Sequence, residues 1–93
     1  MICSGGIKIQ AEEVERLLRD HLHVPYLISK RPDQKFGEVV VLLTEGDVEE
    51  AKVVCETVLP KYQRPKAYIH VSRIPLTETK KPARRQAEIL ARG

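Results

Sequence analysis

Two adjacent lysines near the end of the chain lie on a polar segment bounded by prolines. Lys80 and Lys81 fall between Pro75 and Pro82, and Arg84 lies in a run of good helix formers just after them. A lysine on a movable loop places a compact charge on a long flexible stem, which suits it to stabilising oxygens during group transfer. Charge runs are also common on solvated surfaces, so residue type alone leaves both interpretations open.

A glycine pair near the beginning of the chain is the second candidate. Ser4-Gly5-Gly6 precedes Ile7-Lys8-Ile9, where the sequence allows a short hairpin. A lone glycine pair is a weak signal, since an ordinary turn before a strand has the same composition.

The cysteines and histidines predict neither a metal site nor a reactive thiol. Cys3 and Cys55 form no CxxC pair and have no zinc spacing with His21, His23 or His70. His21 and His23 are two residues apart in the helix predicted there, so they do not share a face. Cys55 falls on the apolar stripe of another predicted helix and is expected in the core. We therefore expect a reduced, cytoplasmic protein without a bound metal.

The composition describes one small globular domain with an anionic partner. The 93 residues carry a net charge of +3 and are 42% hydrophobic. That charge suits nucleic acid, an acidic membrane or a phosphorylated small molecule. Three tyrosines, one phenylalanine and no tryptophan disfavour nucleic acid, whose single strands stack on aromatic rings. No apolar run approaches the roughly 20 residues that span a bilayer, so we expect no membrane partner.

Periodicity along the chain predicts an α+β fold. A small mixed sheet of about three strands is flanked by helices, with a possible short N-terminal hairpin. The apolar run at 39–43 predicts a strand covered on both faces. The predicted helices cover 11–22, a segment capped by Asp47 that stops at Pro60, and 83–92 closed by Gly93; the predicted strands cover 26–30, 39–43 and 67–71.

The two candidate motifs, in this order, resemble the C-terminal lid domain of the adenylate-forming ligase superfamily, which includes acyl-CoA synthetases. Its closing pattern is Pro, x, Thr, x, x, Gly, Lys, x, x, Arg. Pro75, Thr77, Lys81 and Arg84 fit it, and Lys80 replaces the usual glycine. The segments 4–9, 13–15, 32–38 and 59–66 also resemble the family, the last two in roles expected to be architectural.

The resemblance implies a division of roles. Lys81 is the implied catalytic lysine, and Lys80 and Arg84 are weaker candidates for contacts to phosphate or nucleotide. The implied coenzyme A contacts are Ser4, Gly5, Gly6 and Lys8. ATP, Mg²⁺, coenzyme A and a carboxylic acid substrate belong to the full-length enzyme. Residues 1–93 are then the lid of a larger ligase whose N-terminal adenylation domain is absent, and the isolated lid is expected to be inactive.

Two alternatives stay open at this point. The chain could be the lid of a peptide-synthetase adenylation domain, or a stand-alone basic module that binds phosphate or nucleic acid. The second alternative predicts binding that weakens steeply with salt, since each neutralised phosphate releases counterions. Glu15 and Glu38 are not expected to form an acid–base pair, because nothing in their spacing brings them together.

Overall fold

A computed structural model describes residues 1–92, which form a five-stranded sheet with helices on both faces. The strands are β1 (Ile2–Ser4), β2 (Ile7–Ile9), β3 (Tyr26–Asp33), β4 (Gly37–Thr44) and β5 (Ala67–His70). The helices are α1 (Ala11–Leu18), α2 (Val48–Val58) and α3 (Arg84–Ala91), and a single 3₁₀ turn covers Lys61–Gln63.

Strand β4 is the centre of the sheet. It pairs antiparallel with β3 along its whole length, from Tyr26 opposite Thr44 to Asp33 opposite Gly37. Its other edge is shared, since β1 pairs antiparallel at Gly37 and β5 runs parallel from Val41 onward. The mixed sheet and the N-terminal hairpin are both confirmed, and the hairpin joins the sheet as β1 and β2.

Alternation along β4 divides the core into two layers. Val40 and Leu42 face the layer that contains α1 and α2, whereas Val41 and Leu43 face the layer that contains α3. All four side chains are at most 2% exposed. The prediction of a strand covered on both faces is therefore confirmed, because successive side chains enter opposite cores.

Helix α1 ends earlier than the sequence predicts. It stops at Leu18, and the next residues turn so that the amides of His21 and Leu22 both donate to the Leu18 carbonyl, each at 2.9 Å. Leu22 is still buried, so its apolar character continues the helical pattern beyond the helix itself. The extension to residue 22 was wrong, and neither His21 nor His23 lies in the helix.

Strand β3 is longer than predicted because it tolerates a proline. Pro32 lies opposite Glu38 in this edge strand, where a missing N–H group removes no ladder bond. The turn into β4 is closed by Asp33, whose carboxylate accepts hydrogen bonds from the amides of Lys35 and Phe36 at 2.9 and 2.8 Å. This turn brings the Phe36 ring to the start of β4.

The remaining helices follow their sequence signals. Asp47 caps α2 by accepting a hydrogen bond from the Glu49 amide at 3.0 Å, and the helix ends before Pro60. Cys55 is fully buried, as expected. Gly93, the predicted stop for α3, lies outside the described residues. Among residues 1–92, no helix is long and apolar enough to traverse a bilayer.

Candidate functional site

The segment from Pro75 to Ala83, which we call the lysine loop, is a closed hairpin-like turn that presents Lys81 to solvent. Leu76 bridges to Pro82, and the amide of Thr77 donates to the Lys81 carbonyl at 2.8 Å. The Ala83 amide donates to the Pro75 carbonyl at 3.0 Å and closes the base of the loop. Lys81 is exposed and forms no ion pair with any residue in the described part of the chain.

Lys80 has the backbone conformation that a glycine would adopt most easily. Its φ angle is 62°, the one positive value among the non-glycine residues that the structure describes. This left-handed conformation costs about 1–2 kcal/mol for a residue with a Cβ atom. A glycine, as in the superfamily pattern, would adopt this conformation without that cost.

Replacing Lys80 with glycine is expected to stabilise the domain. Relief of the left-handed strain outweighs the larger unfolded-state entropy of glycine, so stability should rise by about 0.5–1 kcal/mol. Thermal unfolding of the chain checks this, with the melting temperature expected to rise by about 2–6 °C. The matched control is Glu78→Gly in the same loop, where φ is not positive and the melting temperature should not rise.

The glycine turn lies between β1 and β2 and packs against the Phe36 ring. Gly5 and Gly6 have φ angles of 58° and 87°, so both need the freedom of glycine. The Gly5 amide donates to the Phe36 carbonyl at 2.9 Å, and a Cβ atom on Gly5 would meet the Phe36 ring at 3.3 Å. A Cβ atom on Gly6 would meet nothing within 4 Å, so this residue borders open space.

A groove, which we call the glycine groove, extends from this turn across the surface. It brings together three segments that are distant in sequence: the β1–β2 turn, the β3–β4 turn and the 3₁₀ turn before β5. Its lining residues are Ser4, Gly5, Ile7, Phe36, Lys61, Tyr62 and Lys66. Of the predicted coenzyme A contacts, Gly6 and Lys8 are not among the lining residues: Gly6 adjoins the groove in the β1–β2 turn, and Lys8 lies on β2 opposite Cys3.

The glycine groove combines exposed apolar surface with positive charge. Ile7, Phe36 and Tyr62 are 44%, 36% and 51% exposed. The ammonium groups of Lys35 and Lys66 lie 5.4 and 5.6 Å from the centroid of the Phe36 ring, which is close enough for cation–π attraction. This surface suits a ligand that has both a flat ring and anionic groups. The sequence predicted only architectural roles for the segments 32–38 and 59–66, although each places an aromatic residue directly beside a lysine.

Arg84 is held by a glutamate from the far end of the chain. Its Nη1 and Nη2 atoms each lie 3.0 Å from an oxygen of Glu15, a bidentate arrangement that raises the pKa of Arg84 through hydrogen bonding. Nη1 also donates to the Ile28 carbonyl at 3.0 Å, and the Ile28 amide donates to Glu15 at 2.9 Å. The guanidinium is thus occupied within the domain, and its contact with phosphate stays a prediction.

The other acidic and sulfur-containing candidates have separate environments. Glu38 pairs with Lys30 at 3.0 Å, and its pKa is lowered by a hydrogen bond from the Cys3 amide. It makes no contact with Glu15 in the part of the chain that the structure describes.

Burial raises the pKa of Cys55 to about 11, which disfavours a reactive thiolate. Within residues 1–92, no three metal-ligating side chains of the His, Cys, Asp or Glu type cluster together.

The known proteins most similar to this chain in sequence and in structure include ligases that form CoA thioesters. The chain is 31% identical over 86 residues to 2-succinylbenzoate–CoA ligase of Listeria monocytogenes, covering 87% of this chain and 18% of that enzyme. It superposes on a fatty acyl CoA synthetase of Mycobacterium tuberculosis with a TM-score of 0.82 and 25% identity, covering 96% of this chain and 19% of that one. No protein-family model matches the chain.

These relatives are acyl-CoA ligases, and the fold of the chain matches that of the acyl-CoA synthetase C-terminal domain. Among the solved relatives is o-succinylbenzoate CoA synthetase of Bacillus subtilis, with 34% identity, a TM-score of 0.73, and coverage of 92% of this chain and 19% of that one. The chain therefore spans about a fifth of the length of the ligases it matches.

Proposed function

We propose that residues 1–93 are the C-terminal lid of an ATP-dependent acyl-CoA ligase. In this reaction ATP and a carboxylic acid give an acyl-adenylate and pyrophosphate, and the thiol of coenzyme A then displaces AMP to form a thioester. The small share of each relative that the chain covers supports a lid that works with a separate N-terminal adenylation domain as its partner.

The observation that carries the proposal is the presence of two separate surfaces on one small domain. The lysine loop leads into α3, whereas the glycine groove is built around the β1–β2 turn, and the two share no lining residue. A reaction with two chemically different steps can use one surface for each step, provided that the domain rotates between them. The lid would therefore present Lys81 for adenylation and the groove for thioester formation.

Lys81 is the proposed catalytic residue of the first step. Its exposed ammonium group would lie beside the carboxylate oxygen and the α-phosphate, where positive charge stabilises the oxygens between which the bond forms. Lys80 would add a second cationic contact with phosphate, because it precedes Lys81 directly and lies on the same exposed loop.

The glycine groove is the proposed coenzyme A surface. The backbone of Ser4, Gly5 and Gly6 would line the path of the pantetheine arm, and Lys8 would contact phosphate near the groove entrance. Phe36 and Tyr62 offer exposed ring faces for the adenine base. Lys61 and Lys66 line the same groove and would neutralise the phosphates of the nucleotide.

Mg²⁺ is expected to assist adenylation by neutralising charge on ATP, but residues 1–92 show no site for it. The described residues bring together no cluster of acidic ligands, and Mg²⁺ prefers carboxylate oxygens with phosphates. We therefore assign the ion to the partner domain and derive no step of the lid's chemistry from it.

The proposed acid is o-succinylbenzoate, the substrate of a ligase in menaquinone synthesis. The run Ser4 to Gln10 looks most like the corresponding segment of that ligase, and two of the relatives described above carry this activity in their names. An N-terminal domain would contain the acyl pocket, so co-purified acyl-adenylate from the complete enzyme would identify the acid directly. The peptide-synthetase lid is the alternative, with carrier-bound pantetheine as the acceptor.

The groove is tested by Phe36→Ala in the ligase that contains this domain. Loss of a stacking ring is expected to raise the KM for coenzyme A about tenfold without changing the rate of adenylate formation. Kinetics should be measured with coenzyme A and with pantetheine, which lacks the nucleotide. The pantetheine KM should not change, and Val53→Ala, which removes an exposed apolar side chain from α2, should change neither value. An equal rise in both KM values would contradict a nucleotide site at Phe36.

A further inference from the structure

The outer edge of β3 is closed at Ile28 by two side chains. β3 is an edge strand, so peptide groups on its outer side have no neighbouring strand to pair with. At Ile28 the amide donates to Glu15 Oε2 at 2.9 Å, and the carbonyl accepts from Arg84 Nη1 at 3.0 Å. The Glu15–Arg84 pair thus supplies one acceptor and one donor, as a neighbouring peptide would.

This arrangement, which we call the Glu15–Arg84 clasp, joins three elements at one point. Glu15 belongs to α1, Ile28 to β3, and Arg84 is the first residue of α3. The Glu15 side chain is 19% exposed and that of Arg84 is 38% exposed, so the pair is partly shielded from water. Fork-shaped bidentate pairing fixes orientation as well as distance.

The clasp fixes the C-terminal end of the lysine loop. Arg84 directly follows Ala83, whose amide closes the loop base on the Pro75 carbonyl at 3.0 Å. The N-terminal end of the loop is held in a similar way, since Glu45 Oε2 accepts a hydrogen bond from the amide of buried Ile74 at 2.8 Å. Carboxylates from elsewhere in the chain therefore anchor both ends of the loop that presents Lys81.

We propose that Glu15 is a positioning residue for Lys81, acting through Arg84. The inference rests on the proposed function of Lys81, because it assigns Glu15 a role in the same step. Arg84 then acts as a link to the scaffold and not as a ligand of phosphate. A charged group that stabilises developing charge must be held in place before the reaction, so loosening its anchor lowers the rate without weakening substrate binding.

The first test uses the chain itself and needs no ligase activity. In Glu15→Ala, amide hydrogen exchange at Ile28 and Ala83 should become faster by about tenfold. In the parent chain, local opening must break the contacts of the clasp, and without them opening costs less free energy. The matched control is Glu13→Ala, an exposed residue of the same helix, which should leave both amides unchanged. Unchanged exchange at Ala83 in Glu15→Ala would overturn the proposal.

A double variant with the two charges exchanged distinguishes loss of the clasp from a general loss of folding. Glu15→Arg combined with Arg84→Glu restores one donor and one acceptor at Ile28, and should return the exchange rate of Ala83 toward that of the parent chain. If Glu15→Ala exposes every amide to exchange and the reversed pair does not restore protection, the clasp is only a general stabilising contact and the proposal is wrong.

The second test uses the ligase that contains this domain. Glu15→Ala should lower kcat for adenylate formation about tenfold, leave the KM for ATP unchanged and spare thioester formation from supplied acyl-adenylate. The reversed pair should recover kcat. Unchanged kcat in Glu15→Ala, with a raised KM for ATP in the reversed pair, would instead make Arg84 a phosphate ligand. A parent enzyme that forms no adenylate would refute the proposed function, while the exchange data would still decide whether the clasp anchors the loop.

Discussion

Lys81→Ala in the ligase that contains this domain is expected to lower adenylate formation by about 10²–10³-fold. The substitution removes the charge that would stabilise the carboxylate and α-phosphate oxygens, and it leaves the fold intact because the Lys81 side chain is exposed. Thioester formation from supplied acyl-adenylate should proceed at the parental rate, since that step would use the glycine groove. Separate measurements of pyrophosphate release and of thioester formation check the two half-reactions.

The neighbouring lysine supplies a matched control for this result. Lys80→Ala removes an equal charge from the same loop while keeping a Cβ atom at the positive-φ position. It should slow adenylate formation much less than Lys81→Ala, because Lys81 is the proposed catalytic residue and has the spacing from Pro75 and Arg84 that the superfamily pattern implies. Equal loss of both half-reactions in Lys81→Ala would contradict the assignment of one surface to each step.

Gly6→Ala is expected to slow thioester formation and to leave adenylate formation unchanged. Gly6 lies in the turn beside the groove without lining it, and a methyl group there would meet nothing within 4 Å inside the domain. We expect this methyl group to narrow the path proposed for the pantetheine arm. Displacing the thiol by about 1 Å is enough to slow thioester formation about 10²-fold. Adenylate formation should be unchanged, and single-turnover transfer from bound acyl-adenylate to coenzyme A is the measurement.

Backbone strain must be separated from obstruction of the groove. Gly37→Ala serves this purpose, because Gly37 has a φ angle of 85°, almost the same as that of Gly6 at 87°. A Cβ atom there would meet the Cys3 carbonyl at 3.6 Å, an ordinary contact within the sheet. The two variants should lose similar stability, yet only Gly6→Ala should lose thioester formation. Comparable losses from both would attribute the effect to strain.

The parts of this domain that the sequence predicts are those encoded by local pattern. The lysine loop follows from a few residues at fixed spacing, and the central strand from its continuous apolar run at 39–43. The end of α1 was missed because Leu22 stays buried after the helix stops at Leu18. The helical spacing of apolar residues therefore continues for one turn beyond the end of the helix. Pro32 similarly concealed the full length of β3, because an edge strand accepts a proline that a central strand would not.

The missed parts of the site depend on contacts between distant segments. Glu15 and Arg84 are 69 residues apart, and no spacing rule relates them. The groove joins Gly5, Phe36 and Tyr62 only because β1 and β5 share one edge of β4. Each aromatic residue was visible beside a lysine, but the surface that they form together arises from the sheet topology. Pairing of strands thus creates the proposed binding surface, whereas local sequence creates the lysine loop.

The closed edge of β3 has a consequence for the proposed rotation of the lid. An unprotected edge strand is a template on which another chain can add a strand and begin aggregation. Here Pro32 offers no N–H group, Lys30 and Arg31 bring charge, and Glu15 with Arg84 occupies the peptide groups of Ile28. If the domain is the proposed lid, this edge therefore offers no ready docking strand to another chain while the lid rotates through solvent.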